Sequence, residues 1–184
     1  MASILNVNKV RATGSTTDGL VVDSSGRVTL PALPFFHASI TGSNVSIGTG
    51  SDAVLPFNNE ITDVGGHFNN STYKFTAPVS GVYQFTAAVR VDAVDRAAGY
   101  YRIGFRAEQG TGSAITAPDL YNIIDPDGYD IDVTYLTLEI TRSYYLTAGN
   151  LVRATLRQQG GTADHAHVEA NDTKYSYFSG YLVG

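Results

Sequence analysis

The chain has 184 residues, with 12 Lys and Arg against 17 Asp and Glu for a formal charge of −5, and it contains no Cys. That length suits one domain with a short extension and argues against two full domains. The missing cysteines exclude disulfides, thiolate-held zinc and a cysteine nucleophile, and arginines scattered through an acidic sequence give no basic cluster for counterion release from nucleic acid.

Residues 1–33 read differently from the rest. The stretch Met1-Ala2-Ser3-Ile4-Leu5-Asn6-Val7-Asn8-Lys9-Val10-Arg11 has no apolar run long enough for a signal-peptide core, so neither that secretory route nor membrane insertion is expected. Neither Gly-X-Y repeats nor a heptad stalk is present. Between Asp18 and Pro31, Leu20 and Val22 fall on one short apolar strand and Val28 and Leu30 on another, around an Asp23-Ser24-Ser25-Gly26 turn. Such a ribbon cannot bury its apolar face by itself. It is expected to fasten to equivalent segments of other chains or to a larger particle, with Leu20, Val22, Val28 and Leu30 as the attachment residues.

From Phe35 onward, period-2 alternation returns about every ten residues between Gly, Asn, Asp and Pro, the pattern of an antiparallel sandwich. Only 16% of residues are charged while Tyr reaches 12, which fits a β-protein. Tyr83, Phe85, Ala87, Val89 and Val91 form one apolar face opposite Gln84, Thr86 and Arg90. Tyr101, Ile103, Phe105 and Ala107 repeat that division against Arg102, Arg106 and Glu108, and Leu136, Leu138 and Ile140 repeat it against Thr137 and Glu139. In the last strand Tyr175, Tyr177, Tyr181 and Val183 share one face and Phe178 and Leu182 the other, so it should be central or lie at a subunit interface. Of the pairs Tyr100-Tyr101 and Tyr144-Tyr145, one member each should be core and the other exposed, and the exposed tyrosines, with Tyr121 and Tyr129, suit contact with sugars or protein surfaces.

Catalytic motifs are missing: there is no Gly-x-Ser-x-Gly, His-Glu-x-x-His, P-loop or Gly-x-Gly-x-x-Gly. An enzyme is not expected. Two segments are candidates for metal. His165, His167 and Glu169 would share one strand face and suit a transition metal, against the reading of a solvent-facing loop. Asp125, Asp127, Asp130 and Asp132 crowd four carboxylates around Gly128 as calcium loops do, without EF-hand spacing, against the reading of a solvated acidic turn. His67, beside Gly65-Gly66, is expected to serve structure through side-chain hydrogen bonds. Sequons at Asn44, Asn70 and Asn171 read as polar turn residues.

The segment Ile61-Thr62-Asp63-Val64-Gly65-Gly66-His67-Phe68, followed by Lys74-Phe75-Thr76-Ala77-Pro78-Val79-Ser80-Gly81-Val82-Tyr83-Gln84-Phe85, resembles C1q/tumour-necrosis-factor heads. Phe57, Asp63, Gly66, Phe68, Phe75, Gly81, Tyr83 and Phe85 carry the likeness, with Pro34-Phe35-Phe36-His37-Ala38, the turn from Leu146 to Val152 and a closing Tyr177-Phe178-Ser179-Gly180-Tyr181-Leu182. Ala87 stands where that family usually has a further aromatic. The resemblance spans residues 34–184 and implies an all-β jelly-roll sandwich of about ten antiparallel strands, assembled as a homotrimer. It also raises the case for calcium near a trimer apex. The phrase Gly19-Leu20-Val21-Val22-Asp23-Ser24-Ser25-Gly26-Arg27-Val28 resembles N-terminal attachment segments of bacteriophage virion proteins. That likeness implies a virion surface protein made in the host cytoplasm, joined to other virion proteins through residues 1–33. Its expected role is host attachment through a surface glycan or protein at a short tail appendage or fibre tip. The alternatives are a capsid decoration protein and a soluble C1q-like lectin or signalling ligand.

Overall fold

The computed structural model describes residues 7–115, 121–162 and 175–184, and the backbone of 167–168. Strand pairing is antiparallel throughout the described residues. Three short strands come first: β1 (Lys9–Val10), β2 (Leu20–Val22) and β3 (Val28–Thr29), in the order β1-β2-β3. The ribbon around residues 23–26 forms as the sequence implies, with Val22 opposite Val28. Asp23 fixes its turn, since its carboxylate accepts from the backbone N–H groups of Ser25 and Arg27 and from the Arg27 side chain. The third strand, β1, carries no apolar alternation to announce it, and Lys9 and Arg11 hold it to Asp18 by ion pairs.

The remaining strands form two facing sheets. One runs β5 (Val45–Ser46), β15 (His167–Val168), β10 (Gly81–Val94), β16 (Tyr177–Leu182), β4 (Phe35–Ser39), β7 (Asn59–Val64), with β13 (Val133–Leu146) on the other edge of β10. The second runs β12 (Tyr121–Ile124), β11 (Ala98–Glu108), β14 (Leu151–Gly160), β9 (Lys74–Thr76), β8 (Phe68–Asn69), with β6 (Ala53–Val54) on β14. Among the described residues these are thirteen segments, and without the four pieces of only two residues nine strands remain, in keeping with the about ten expected. The one helical turn among the described residues is a 3₁₀ turn at Pro126–Gly128, so no described helix is long and apolar enough to cross a membrane.

The core between the sheets is aromatic. Phe36 stacks on Phe68 and Phe75 at 4.7 and 5.1 Å and meets Phe178 edge-on at 4.8 Å, and Phe57, Tyr83, Phe85 and Phe105 complete the cluster. Phe36 of β4, Tyr83 and Phe85 of β10, Tyr101 and Phe105 of β11 and Phe178 of β16 all point inward, so the resemblance motif is largely a core motif. Ala87 is fully buried opposite Ile140 and Phe178, and the smaller side chain closes there without an aromatic ring.

Three positions depart from simple alternation. Glu108, expected on the solvent face with Arg102 and Arg106, is only 2% exposed, because Lys74, Arg106 and Arg153 close over it. His67 contributes through its backbone N–H, and among the described residues its imidazole meets Phe75 edge-on in place of the expected side-chain hydrogen bonds. The strand β16 is central, between β10 and β4, yet only its Phe178 side packs inside; Tyr181 and Val183 face outward uncovered.

Candidate functional site

The glycines and the acid of the resemblance motif have distinct physical roles. Asp63 accepts from the backbone N–H of His67 at 3.0 Å and of Phe68 at 2.8 Å, across a turn in which Gly65 and Gly66 take φ of 94° and 71°. A Cβ on Gly81 would stand 2.8 Å from Leu182 Cδ1 and 3.0 Å from the Gly184 carbonyl, so the start of β10 packs directly on the chain end. Gly180 lets β16 cross beneath Phe85 and Phe36. The Tyr83 hydroxyl donates to the Val79 carbonyl at 2.8 Å, pinning the turn that leads into β10.

The outward face of the β7-β4-β16-β10-β13 sheet is the candidate contact surface. At one end Val82 lies opposite Tyr145, Val183 bonds to Val82 through its backbone, and Tyr181 lies between Gln84 and Phe35. Tyr145 is 70% exposed and Val183 56%, so this belt of apolar and aromatic groups lies open in the single chain. Toward the middle, side chains bond to one another across strands: Tyr181 to Gln84, Thr86 to Thr141 and Tyr177 to Glu139 at 2.9–3.1 Å. His37 stacks on Tyr177 with ring centroids 5.8 Å apart, and burial holds its pKa below the ordinary histidine value. At the far end the Arg90 guanidinium lies over the rings of Tyr175 and Tyr135, at 3.3 and 4.4 Å. The fixed cross-strand pairs hold these side chains in one arrangement, as an interface requires.

The carboxylates of the acidic turn have separate local roles. Asp125 caps the 3₁₀ turn through the Asp127 N–H, Asp132 accepts from the Arg96 N–H, and Arg96 also donates to the carbonyls of Tyr129 and Asp130. Among the described residues no three His, Cys, Asp or Glu side chains converge on a point. His165 and Glu169 lie outside the described residues, and His167 is placed only as a backbone position in β15. Of the described sequons, Asn44 donates to Asp92 at 3.0 Å, consistent with a polar turn residue. In the N-terminal ribbon Leu20 and Val22 are half-buried, whereas Val28 and Leu30 are exposed, and Leu30 borders a cleft of about 290 Å³ with Leu33, Pro34, Pro78, Val79 and Leu182.

Solved structures share this arrangement. The globular domain of zebrafish complement 1qA matches at 16% identity with a TM-score of 0.55, covering 82% of this chain and 98% of that one. Murine APRIL matches at 9% identity with a TM-score of 0.57, covering 82% and 99%. The fold is the C1q/tumour-necrosis-factor jelly roll. The C1q domain family profile matches residues 36–111, which hold the motif from Phe57 to Phe85 and the long strands β10 and β11. No curated protein matches the chain in sequence. Within this C1q-like head the arginines that looked scattered along the sequence are gathered: Arg102 and Arg106 on β11 face Arg153 and Arg157 on β14. The signal available in the sequence was a pair of Arg-x-x-x-Arg phrases, each on the non-core face of a strand.

Proposed function

We propose that this chain is a non-catalytic binding head that assembles as a homotrimer through the outward face of the β7-β4-β16-β10-β13 sheet. In this reading residues 1–33 fasten the head to a larger particle, a bacteriophage virion, where it serves host attachment. The observation that carries the trimer is the open belt of Phe35, Val82, Tyr145, Tyr181 and Val183, beside polar pairs already fixed in place. A belt of that kind favours burial against another surface, and three copies around one axis would bury it in a closed ring. Trimerisation also triples weak contacts, which gives avidity without a tight single site. The virion setting is supported by the attachment-like phrase from Gly19 to Val28 and by the N-terminal sheet β1-β2-β3, whose strands, among the described residues, pair only with one another. The test is competition: purified full chain at saturating concentration should block adsorption of the source phage to its host. Undiminished adsorption refutes the attachment role, and antibody label spread over the capsid instead of the tail assigns the chain to shell decoration.

A further inference from the structure

On the opposite side of the sandwich, β11 and β14 carry arginine against arginine. Arg102 lies directly across from Arg157, and Arg106 across from Arg153, with Gly104 and Thr155 between the two pairs. Like charges directly opposite on a sheet face destabilise it, and two such pairs in succession are only partly offset by nearby carboxylates. Lys74 joins them through Glu108. Against these five cations stand two carboxylates, Glu108 shared among Lys74, Arg106 and Arg153, and Asp52 held by Arg102 at 2.9 and 3.0 Å. The face therefore carries +3 in a chain of −5. Arg157 donates to the neutral Gln159 side chain, and the buried Nε atoms of Arg102 and Arg153 have no hydrogen-bond partner among the described residues. Beside Arg106 lies a recess of about 140 Å³ lined by Asp52, Arg106, Tyr121 and Thr155, below the size of an ordinary ligand pocket and so able to admit only one edge of a ligand lying on the face.

We propose that this face binds an acidic polysaccharide, with carboxylates of non-adjacent sugars on Arg106 and Arg157, which stand four residues apart along the strands, and one ring's hydroxyls donating to Asp52 in the recess. Guanidinium groups match carboxylates in planar, two-pronged geometry. A carboxylate acceptor beside them suits a ligand that also carries hydroxyl donors. Single-stranded nucleic acid is disfavoured because the Tyr121 ring, on which a base would stack, already carries the Arg102 guanidinium at 3.9 Å. The face lies away from the trimer surface, so three copies would be presented outward. This assignment rests on the binding-head reading and names its ligand class.

The experiment titrates the full chain with oligogalacturonate, polysialic acid and hyaluronate, with neutral dextran and single-stranded DNA as comparators, at low and moderate salt. Sedimentation is run on the same samples. The expected result is binding to at least one acidic polysaccharide, weakened by salt, with none to dextran. In the double variant Arg106→Gln/Arg157→Gln the affinity should fall roughly tenfold or more, while Arg27→Gln in the N-terminal ribbon changes nothing. Glu108 keeps Lys74 and Arg153 in that variant, so the fold should persist. No binding to any of the three acidic polysaccharides, equal binding by the double variant, or tighter binding of DNA overturns the assignment. A single-chain mass in the sedimentation run refutes the trimer separately, whatever the titration shows.

Discussion

Gly180→Ala adds one methyl group at the point where β16 passes beneath the aromatic cluster. An ideal Cβ there would stand 2.7 Å from Phe85 Cε1 and 2.8 Å from Phe36 Cε1, and closer still to Phe85 Cδ1. Neither ring has room to retreat, since Phe85 also packs on Phe75, Phe105 and Phe178 and Phe36 on Phe68. Forcing a methyl into a filled core costs about 1–3 kcal/mol. Gly180 is not in the left-handed region, so Ala also gains about 0.4–1 kcal/mol by restricting the unfolded chain. Overpacking wins, leaving a net loss of about 1–2 kcal/mol, which for a domain of this size lowers Tm by about 2–8 °C. Thermal unfolding at fixed protein concentration measures it, because association shifts Tm as well. Gly128→Ala is the control: no atom lies within 4 Å of its Cβ and its backbone is not left-handed, so its Tm should hold or rise slightly. A Gly180→Ala protein as stable as the parent would refute the close packing of β16 on the aromatic core.

Burial raises the Glu108 pKa, but Lys74, Arg153 and Arg106 outweigh it and hold the carboxyl below its ordinary 4.5. A depressed folded-state pKa means stability present above that ordinary value and lost as pH falls through and below it. Glu108→Gln should flatten this acid limb in urea unfolding measured at successive pH values, and should cost stability near neutrality by leaving three cations without their shared anion. His37 has its pKa lowered by burial from 6.5, so its contribution is present above that value and lost as pH falls below it. His37→Gln should remove that component, seen as a shallower fall in Tm between neutral and mildly acidic buffer. Tyr145→Asp places a charge in the open belt without touching the core, so it should abolish the trimer in sedimentation while the far-UV spectrum is unchanged.

Much of the head was legible because its alternation is strict. Tyr83 to Val91 and Tyr101 to Ala107 fall on the core face one after another, and Tyr101 and Tyr144 are the buried members of their pairs. The resemblance motif was legible for the same reason, since Phe57, Phe68, Phe75 and Phe85 pack together in the core. What alternation does not show is which strands become neighbours. Glu108 reads as a solvent position until β9 and β14 bring Lys74 and Arg153 to it, from 34 and 45 residues away. Arg102 and Arg157 form a cross-strand pair only because β11 and β14 are adjacent. In the acidic turn two of the four carboxylates have local backbone roles that their spacing does not show: Asp125 accepts from the Asp127 N–H and Asp132 from the Arg96 N–H.

The most direct test of the trimeric head is the solution mass of the full chain. Sedimentation equilibrium of the purified protein at micromolar concentration should give three times the 19.6 kDa of one chain. A single-chain mass that persists as concentration is raised would contradict the account, because the belt around Tyr145 and Val183 would then have no partner to cover it.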